Sequence, residues 1–488
     1  MEMYDKDLRS IQEARHLVEK AKCAQQKLAT MSQEDIDNIV KAIADAGYKQ
    51  REKLAKMANE ETGFGRWQDK ILKNSFASKH VYESVKNMKT VGILSDDQEK
   101  KIMEVAVPVG VIAGLIPSTN PTSTVLYKAI ISVKSGNSIV FSPHPNALKC
   151  ILETVKIISE AAEQVGCPDG VISCMTVPSV QGTNELMKHK DTALILATGG
   201  TQMVKAAYSS GTPAIGVGPG NGPAFIEKSA NIALAVKRIL DSKTFDNGII
   251  CASEQSIIVE ECSRQAVMEE LKKQGAYFLS KEESEKLSKF MMHAKGSMNP
   301  QIVGKSVEYI ASLANFDIPT NARVLIAEET LVGSNVPYSR EKLAPILAFY
   351  TEKDWESACD RCIEILHNEG AGHTLIIHSK NEEVIREFAL KKPVSRLLVN
   401  TPGALGGIGA TTNLVPALTL GCGAVGGSST SDNIGSANLF NVRRVAYGVR
   451  ELEDLQGNTP IQEQQTMNLN ENEELINMIV QRILGKII

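Results

Sequence analysis

The stretch Val105-Ala-Val-Pro-Val-Gly-Val-Ile-Ala-Gly-Leu-Ile116, followed by the turn Pro117-Ser-Thr-Asn-Pro121, decides the fold class. Its β-branched, apolar residues are typical of a buried strand, and the turn leads into a helical pattern at 124–133. The same alternation of strand and helix recurs between 138 and 165 and again after 193. Strands that alternate with helices predict a parallel α/β sheet that binds ligands at the carboxyl ends of its strands.

A second α/β unit is expected after Pro223, with strands near 256–259, 323–326, 374–377 and 397–399. We therefore predict an α/β fold with two parallel-sheet domains, 1–222 and 223–436, and a strand arm at 437–455. Residues 7–60 have the spacing of amphipathic helices. Residues 456–488 are predicted to form a polar linker followed by a helix with a wide apolar stripe.

Composition excludes several classes of function. The formal net charge of −4 provides no basic surface, so we expect no nucleic-acid partner. No apolar run approaches the ~18 residues of a membrane span, and the charged N-terminus lacks a signal core. The nine cysteines are odd in number and scattered, which is typical of reduced thiols in a cytoplasmic protein. Cys359 and Cys362 fall in a helical pattern without a second pair, so no metal site is predicted.

Cys251 is the candidate nucleophile. It lies in Lys243-Thr-Phe-Asp-Asn-Gly-Ile-Ile-Cys-Ala-Ser-Glu-Gln255, between a polar turn and the β-branched run at 256–259. A thiol at such a loop or helix start lies near free backbone N–H groups that can bind an anion. The Gly-rich bend at 215–226 contains no carboxylate. A thiol without a nearby strong base suits attack on an aldehyde and transfer to another thiol better than hydrolysis.

Five motifs in register resemble the aldehyde dehydrogenase superfamily over residues 7–450. They are Pro117–Pro121, Ala197-Thr-Gly-Gly-Thr201, the Gly-rich bend at 216–222, Cys251 and Glu341-Lys-Leu-Ala-Pro-Ile346. A lone G-x-G-x-x-G at 421–426 lacks the strand–helix frame of a dinucleotide site, so we treat it as accidental.

The resemblance is strongest to the CoA-acylating branch. In the hydrolytic branch the Gly-rich bend carries a glutamate that activates water, whereas this chain has Val217 or a neighbouring glycine there. The Lys-Pro pair of that branch is replaced by Ser142-Pro-His144. The resemblance implies oxidation of propionaldehyde or acetaldehyde to the acyl-CoA, with NAD and coenzyme A. Because the sequence ends at 488, we also expect no iron-dependent alcohol dehydrogenase half.

The resemblance also implies roles for individual residues. Cys251 is the nucleophile, and its backbone N–H together with the Asn120 amide is suited to bind the oxyanion. His373 either assists deprotonation of CoA or has a structural role, and the sequence supports the two roles about equally. The resemblance further implies that domain 1–222 binds NAD and that domain 223–436 carries the nucleophile. The residues expected to bind the cofactor are Ser118, Thr119, Ser142, Pro143, His144, Thr198, Gly199, Gly200, Thr201, Gly218 and Glu341.

Assembly is predicted from the C-terminal part. The strand at 439–447 resembles the family's oligomerisation arm, so a homodimer or tetramer is expected. The helix at 471–488 either docks on the protein itself or resembles an encapsulation peptide that binds microcompartment shell proteins. Two rival functions stay open. One is a hydrolytic aldehyde dehydrogenase that uses Glu254 or Glu227 as its base, and the other is a catalytically inactive scaffold.

Overall fold

The computed structural model describes residues 5–292, 298–455, 476–480 and 482. The predicted linker lies outside the described residues, and so does most of the predicted helix at 471–488. In the described part of the chain, every helix is too short or too polar to cross a bilayer.

Helices α1 to α17 are, in chain order, Lys6–Leu28, Gln33–Lys49, Arg51–Thr62, Trp67–Ser75, Val81–Val85, Pro121–Lys134, Leu148–Glu163, Val180–Lys188, Thr201–Tyr208, Ile232–Thr244, Arg264–Lys273, Lys281–Met291, Val307–Leu313, Trp355–Asn368, Glu382–Lys391, Gly403–Gly407 and Leu452–Leu455. Short 3₁₀ turns are Pro145–Ala147, Phe245–Gly248, Pro337–Ser339, Ala424–Gly426 and Ser436–Asn438, and Phe76–His80 is a π-helical turn. Strands β1 to β15 are Gly92–Asp97, Ile102–Pro108, Val111–Ile116, Ser138–Pro143, Ile172–Cys174, Thr192–Ala197, Ala214–Gly216, Gly222–Ile226, Glu254–Glu260, Ala276–Phe278, Val324–Glu328, Ile346–Glu352, Gly372–His378, Val394–Val399 and Phe440–Ala446.

The first parallel sheet has the strand order β5-β4-β3-β6-β7. Strand β3 is buried along its whole length because β4 and β6 flank it on both sides. Gly114 of β3 permits close packing, since a Cβ there would lie 2.8 Å from the Phe141 ring. The chain winds outward from β3 in one direction and from β6 in the other. The crevice between their carboxyl ends is therefore the place where such a sheet binds ligands.

The second parallel sheet has the order β10-β11-β12-β9-β8-β13-β14. Its central strands are largely apolar on both faces, as expected for a sheet that is covered by helices on both sides. The predicted α/β class with two parallel sheets is confirmed. Both sheets belong to one compact unit, made of the described residues up to Gly92 and of Ala106–Val442. The division into two domains at 222 stays a prediction.

A third, three-stranded sheet has the order β1-β2-β15. The predicted single strand at 105–116 is wrong in one respect, because β2 ends at Pro108 and β3 begins at Val111. Pro108 has no N–H for a ladder, and Gly110 takes a φ of 128°, so the chain changes sheets between them. The strand predicted at 439–447 is β15. Strand β1 was not predicted because its sequence, Gly-Ile-Leu-Ser-Asp-Asp, is mostly polar.

Candidate active site

A cavity of about 390 Å³ brings the predicted residues together. Its wall is formed by loops that follow β3, β4 and β6 and by loops that precede β8, β9 and β12. The predicted residues in its wall are Ser118, Thr119, Asn120, Ser142, Pro143, His144, Thr198, Gly199, Gly200, Gly218, Cys251 and Glu341. Thr201 begins α9 at the same loop. Residues that the resemblance assigns to one site therefore line one cavity, although some of them are more than 200 positions apart in the chain.

Cys251 is half-buried and lies in the loop before β9. Three consecutive left-handed residues, Asp246 (φ 50°), Asn247 (φ 54°) and Gly248 (φ 77°), turn the chain from α10 into this loop. The backbone of Gly220 in the Gly-rich bend approaches the loop closely. A Cβ on Gly220 would lie 1.9 Å from the Cys251 carbonyl oxygen, so glycine is required there.

The surroundings of Cys251 favour the thiol over the thiolate. Burial, the Glu341 carboxylate and the neighbouring Cys422 raise the pKa of Cys251 to about 12, while Arg396 opposes the shift. Desolvation is the largest cause, because an anion loses more hydration than a neutral thiol does on burial. The nucleophile is therefore protonated in the resting protein at neutral pH.

Asn120 is fixed at both ends of its amide. Its Nδ2 donates to the Ile249 carbonyl oxygen at 3.3 Å and to Thr119 Oγ1 at 3.4 Å, and its Oδ1 accepts from Lys73 Nζ at 2.5 Å. Ile249 lies two residues before the nucleophile. The N–H end of the amide thus points toward the Cys251 loop, as an oxyanion donor requires.

Glu341 carries the one carboxylate found in the cavity wall among the described residues. Its Oε1 accepts from the Gly220 N–H at 3.0 Å. Burial and the nearby Glu369 raise its pKa to about 8. The carboxyl group is therefore largely neutral at pH 7, and the Gly-rich bend holds it in place.

The dinucleotide-binding set occupies the crevice of the first sheet. Ser142 Oγ and Thr183 Oγ1 are 2.8 Å apart, and Thr198 Oγ1 lies 3.3 Å from Thr419 Oγ1. Gly200 is the N-cap of α9 and has no side-chain cap, so the first N–H groups of that helix have no side-chain acceptor. Hydroxyls and uncapped helical N–H groups form a donor set that fits the phosphates and ribose of a dinucleotide.

His373 does not lie in the cavity wall. It is fully buried near the start of β13, with Nδ1 2.9 Å from Thr374 Oγ1. Its Nε2 has no hydrogen-bond partner among the described residues. Burial, and then the Arg396 cation, lower its pKa to about 3, so the ring is neutral. Its role as a base stays a prediction.

Sequence reasoning missed Lys73, which lines the cavity from α4. On sequence alone Lys70 and Lys73 are two of many lysines in an amphipathic helical segment, where they resemble a solvated face. The missed wall also includes Ile408, Leu418 and Leu420, from a Gly-rich region without periodicity. The described residues contain no cluster of three or more His, Cys, Asp or Glu side chains arranged around a metal.

The chain is similar to known proteins along most of its length, and residues 6–325 match the aldehyde dehydrogenase family. It is 44% identical over 442 residues to the bifunctional aldehyde-alcohol dehydrogenase AdhE of Escherichia coli K12, covering 90% of this chain and 50% of the relative. The chain thus spans about half the length of several curated relatives that it matches.

Solved structures agree. A probable aldehyde dehydrogenase of Listeria monocytogenes EGD-e is 74% identical, with a TM-score of 0.92 over 93% of this chain and 100% of that one. An acetylating aldehyde dehydrogenase of Geobacillus thermoglucosidasius is 54% identical, with a TM-score of 0.91 over 92% and 99%.

Two more distant structures carry information on ligands and location. A propionaldehyde dehydrogenase from the Clostridium phytofermentans fucose utilisation microcompartment is 29% identical (TM-score 0.81, covering 89% and 97%). A propionaldehyde dehydrogenase of Rhodopseudomonas palustris, 28% identical (TM-score 0.80, covering 89% and 97%), was solved with bound CoA and an acylated cysteine. The expected family resemblance is confirmed: this chain belongs to the aldehyde dehydrogenase family, in the branch that contains the acetylating, CoA-dependent members.

Proposed function

We propose that this protein oxidises a short aliphatic aldehyde, propionaldehyde or acetaldehyde, to its acyl-CoA through a thioester on Cys251. The observation that carries the proposal is the pairing of a cavity thiol with an oriented amide, Asn120, in a wall whose one carboxylate among the described residues, Glu341, accepts from the Gly220 N–H. Such a site can form a thioester, and Glu341 is proposed to bind the cofactor ribose rather than to activate water.

The first step joins Cys251 to the aldehyde. The thiol loses its proton, its sulfur bonds to the carbonyl carbon, and the carbonyl π electrons move to oxygen. The resulting alkoxide is proposed to accept from the Asn120 Nδ2–H, in place of its 3.3 Å contact with the Ile249 carbonyl oxygen, and from the Cys251 backbone N–H. These donors are in place before the charge forms, which is why they stabilise the transition state more than the aldehyde.

The second step converts the adduct to a thioester. The alkoxide oxygen reforms its double bond, and the C–H bond breaks with loss of hydride. When bound, the nicotinamide cofactor supplies the acceptor for that hydride. Glu341 and the hydroxyls of Ser142 and Thr198 are suited to bind its ribose and phosphate groups, with NAD as the proposed form.

The third step releases the product to CoA. The CoA sulfur bonds to the thioester carbon, and the bond to Cys251 breaks with return of the electron pair to its sulfur. A thiol has a pKa of about 8.5, so a few per cent is ionised at neutral pH without a strong base. The reaction balances as aldehyde, CoA and NAD⁺ giving acyl-CoA, NADH and a proton. His373 is proposed as the group that assists this deprotonation, although its burial requires a local rearrangement.

The wall of the cavity favours an uncharged aldehyde. Ile408, Leu418 and Leu420 contribute apolar surface. Among the described wall residues the one lysine, Lys73, is already paired with Asp246 at 2.5 Å. An aldehyde with a second anionic group would therefore lack a free cation to pair with.

The hydrolytic alternative has less support. Glu254 is fully buried at the start of β9, where its Oε1 accepts from the Gly403 N–H at 2.7 Å. Glu227 is also buried and accepts from Ser379 Oγ at 2.8 Å. Neither residue lies in the cavity wall, so neither is positioned to activate a water there.

Assembly is the remaining part of the proposal. The exposed strand β15 is suited to pair with a second copy, giving a homodimer or tetramer. The tail at 471–488 is proposed to bind a microcompartment shell protein. The similarity to an enzyme from a fucose utilisation microcompartment supports this assignment. Deletion of 457–488 should leave turnover intact and abolish co-purification with shell proteins, and equal loading of the truncated form would refute it.

The decisive experiment is NADH formation from propanal with and without CoA, followed by mass analysis of the product. We expect turnover that depends on CoA and a product of propionyl-CoA mass. Equal turnover without CoA, with propionate as product, would establish the hydrolytic alternative. Absence of turnover with every C2 to C4 aldehyde, for alkylated and untreated protein alike, would favour the scaffold.

A further inference from the structure

A buried cluster of two lysines and one aspartate lies beneath the active-site loops. Lys70 and Lys73 both come from α4, and their side chains are 3% and 2% exposed. They reach the fully buried Asp246 carboxylate at 3.0 and 2.5 Å. Asp246 thus faces two buried ammonium groups, and a second carboxylate, Asp69, lies beside the cluster and accepts from the Asp246 N–H at 2.9 Å.

The cluster joins three parts of the chain. Asp246 belongs to the left-handed turn that leads to Cys251, and it also accepts from the Arg66 N–H at 2.6 Å. Its conformation leaves no space for a side chain on Gly65, whose Cβ would lie 1.9 Å from Asp246 Oδ1. The nucleophile loop is therefore held against the start of α4.

The two lysines differ in what else they contact. Lys73 Nζ donates to the side-chain Oδ1 of Asn120 at 2.5 Å. Lys70 Nζ donates to the backbone oxygen of Thr119 at 3.2 Å. The first contact distinguishes the two ends of the Asn120 amide, because an ammonium group can donate but cannot accept. The second contact does not involve that amide.

We propose that Lys73 is a positioning residue that fixes the orientation of the Asn120 amide, so that its N–H faces the oxyanion formed at Cys251. Rotation of the amide by half a turn would bring Nδ2 against Lys73 and Oδ1 against the Ile249 carbonyl. Both of those contacts pair like with like. The inference rests on the proposed thioester chemistry, because the oxyanion is its object.

Two reactions of Cys251 separate this role from a general effect on the thiol. Acylation by p-nitrophenyl acetate bonds the sulfur to the acyl carbon through an oxyanion and expels p-nitrophenolate. Alkylation by iodoacetamide bonds the sulfur to a methylene carbon and expels iodide without any oxyanion. A change in the thiol's ionisation alters both rates equally, so the ratio of acylation to alkylation reports the oxyanion donors alone.

The variant Lys73→Met should lower that ratio about tenfold or more, within the range for loss of an oxyanion donor. The matched control is Lys70→Met, which removes an equivalent buried contact to Asp246 and should leave the ratio within about twofold of the wild type. In an Asn120→Ala background, Lys73→Met should lower the ratio no further, as expected for residues that act as a unit.

An equal loss in both reactions, or equal ratios for the Lys73 and Lys70 variants, would overturn the positioning role while leaving the proposed function standing. A wild-type protein that alkylates but never acylates would instead refute the proposed function, and the positioning role with it. If Lys73→Met unfolds, the same ratio is measured in Lys73→Gln, whose side-chain amide can accept as well as donate and so does not select one orientation of the Asn120 amide. The same drop in ratio is expected there.

Discussion

The two parallel sheets contribute opposite ends of their strands to one cavity. In the five-stranded sheet the site residues follow the strands: Pro117 to Asn120 come after β3 and Thr198 to Gly200 come after β6. In the seven-stranded sheet they precede the strands: Cys251 comes before β9 and Glu341 before β12. The rule that ligands bind at the carboxyl ends of parallel strands thus describes the five-stranded sheet alone. The nucleophile is delivered from the opposite end of its sheet.

The largest loss of activity is expected for Cys251, which precedes a strand of the seven-stranded sheet. Replacement Cys251→Ala should lower acyl-CoA formation by at least about 10⁴-fold, because Cys251 is the one thiol among the described residues of the cavity wall. Steady-state NADH release with propanal and CoA measures this loss. Cofactor affinity, followed by NADH fluorescence, should be retained. Residual turnover within about a hundredfold of the wild type would assign the chemistry to another residue.

The next largest effect is expected for Asn120, the proposed oxyanion donor, which follows a strand of the five-stranded sheet. Replacement Asn120→Ala should lower kcat by about 10² to 10³-fold with a small change in the KM for aldehyde. Asn146→Ala serves as a control, since this exposed residue lies outside the cavity wall. A larger change in KM than in kcat would show that Asn120 binds the aldehyde rather than the transition state.

Glu341 tests whether the seven-stranded sheet, which carries the nucleophile, also contributes to binding of the cofactor. At pH 9, where the Glu341 carboxyl group is mostly ionised, replacement Glu341→Gln should raise the KM for the nicotinamide cofactor by about tenfold, through loss of one charge-assisted hydrogen bond to a ribose. The kcat at saturating cofactor should change less than threefold, because loss of an interaction that is equally strong in the ground state and the transition state raises KM and leaves kcat unchanged. An unchanged KM would remove Glu341 from the cofactor site.

The smallest effect should appear in the pH dependence of Cys251. Because the pKa of Cys251 is raised to about 12, the rate of alkylation by iodoacetamide should rise from pH 7 to 10 without a plateau, somewhat less than tenfold per pH unit because Glu341 ionises in that range. The negative charge of Glu341 is one cause of that rise in pKa, and Glu341 itself has a pKa of about 8. Glu341→Gln should therefore match the wild type at pH 6.5 and react a few-fold faster at pH 9.5. A plateau near pH 8 would show an activated thiolate.

Residues next to regular elements could be predicted from sequence. Asn120 and Thr198 come at strand-to-helix junctions, where apolar periodicity stops at a known position. The Cys251 loop has a similar marker in the change from a polar turn to a β-branched run. The α/β class followed from the same alternation.

Other residues carried no such marker. Lys73 is buried by contacts with Asp246 and Asn120, which are 173 and 47 residues away along the chain, so no local pattern signals its burial. Ile408, Leu418 and Leu420 lie in a Gly-rich region whose course is set by tertiary contacts. The orientation of the seven-stranded sheet is also a tertiary property, since periodicity predicts where a strand lies in the chain but not which of its ends meets a neighbouring sheet.

The backbone contact at Gly220 limits how this scaffold could be re-engineered into a hydrolase. A carboxylate introduced to deprotonate water cannot be placed at 220, where a Cβ would overlap the Cys251 carbonyl oxygen. Gly218 has space, because the nearest atom to a Cβ there is 3.5 Å away. A designer who wants free acid from this fold has to begin two residues earlier in the bend.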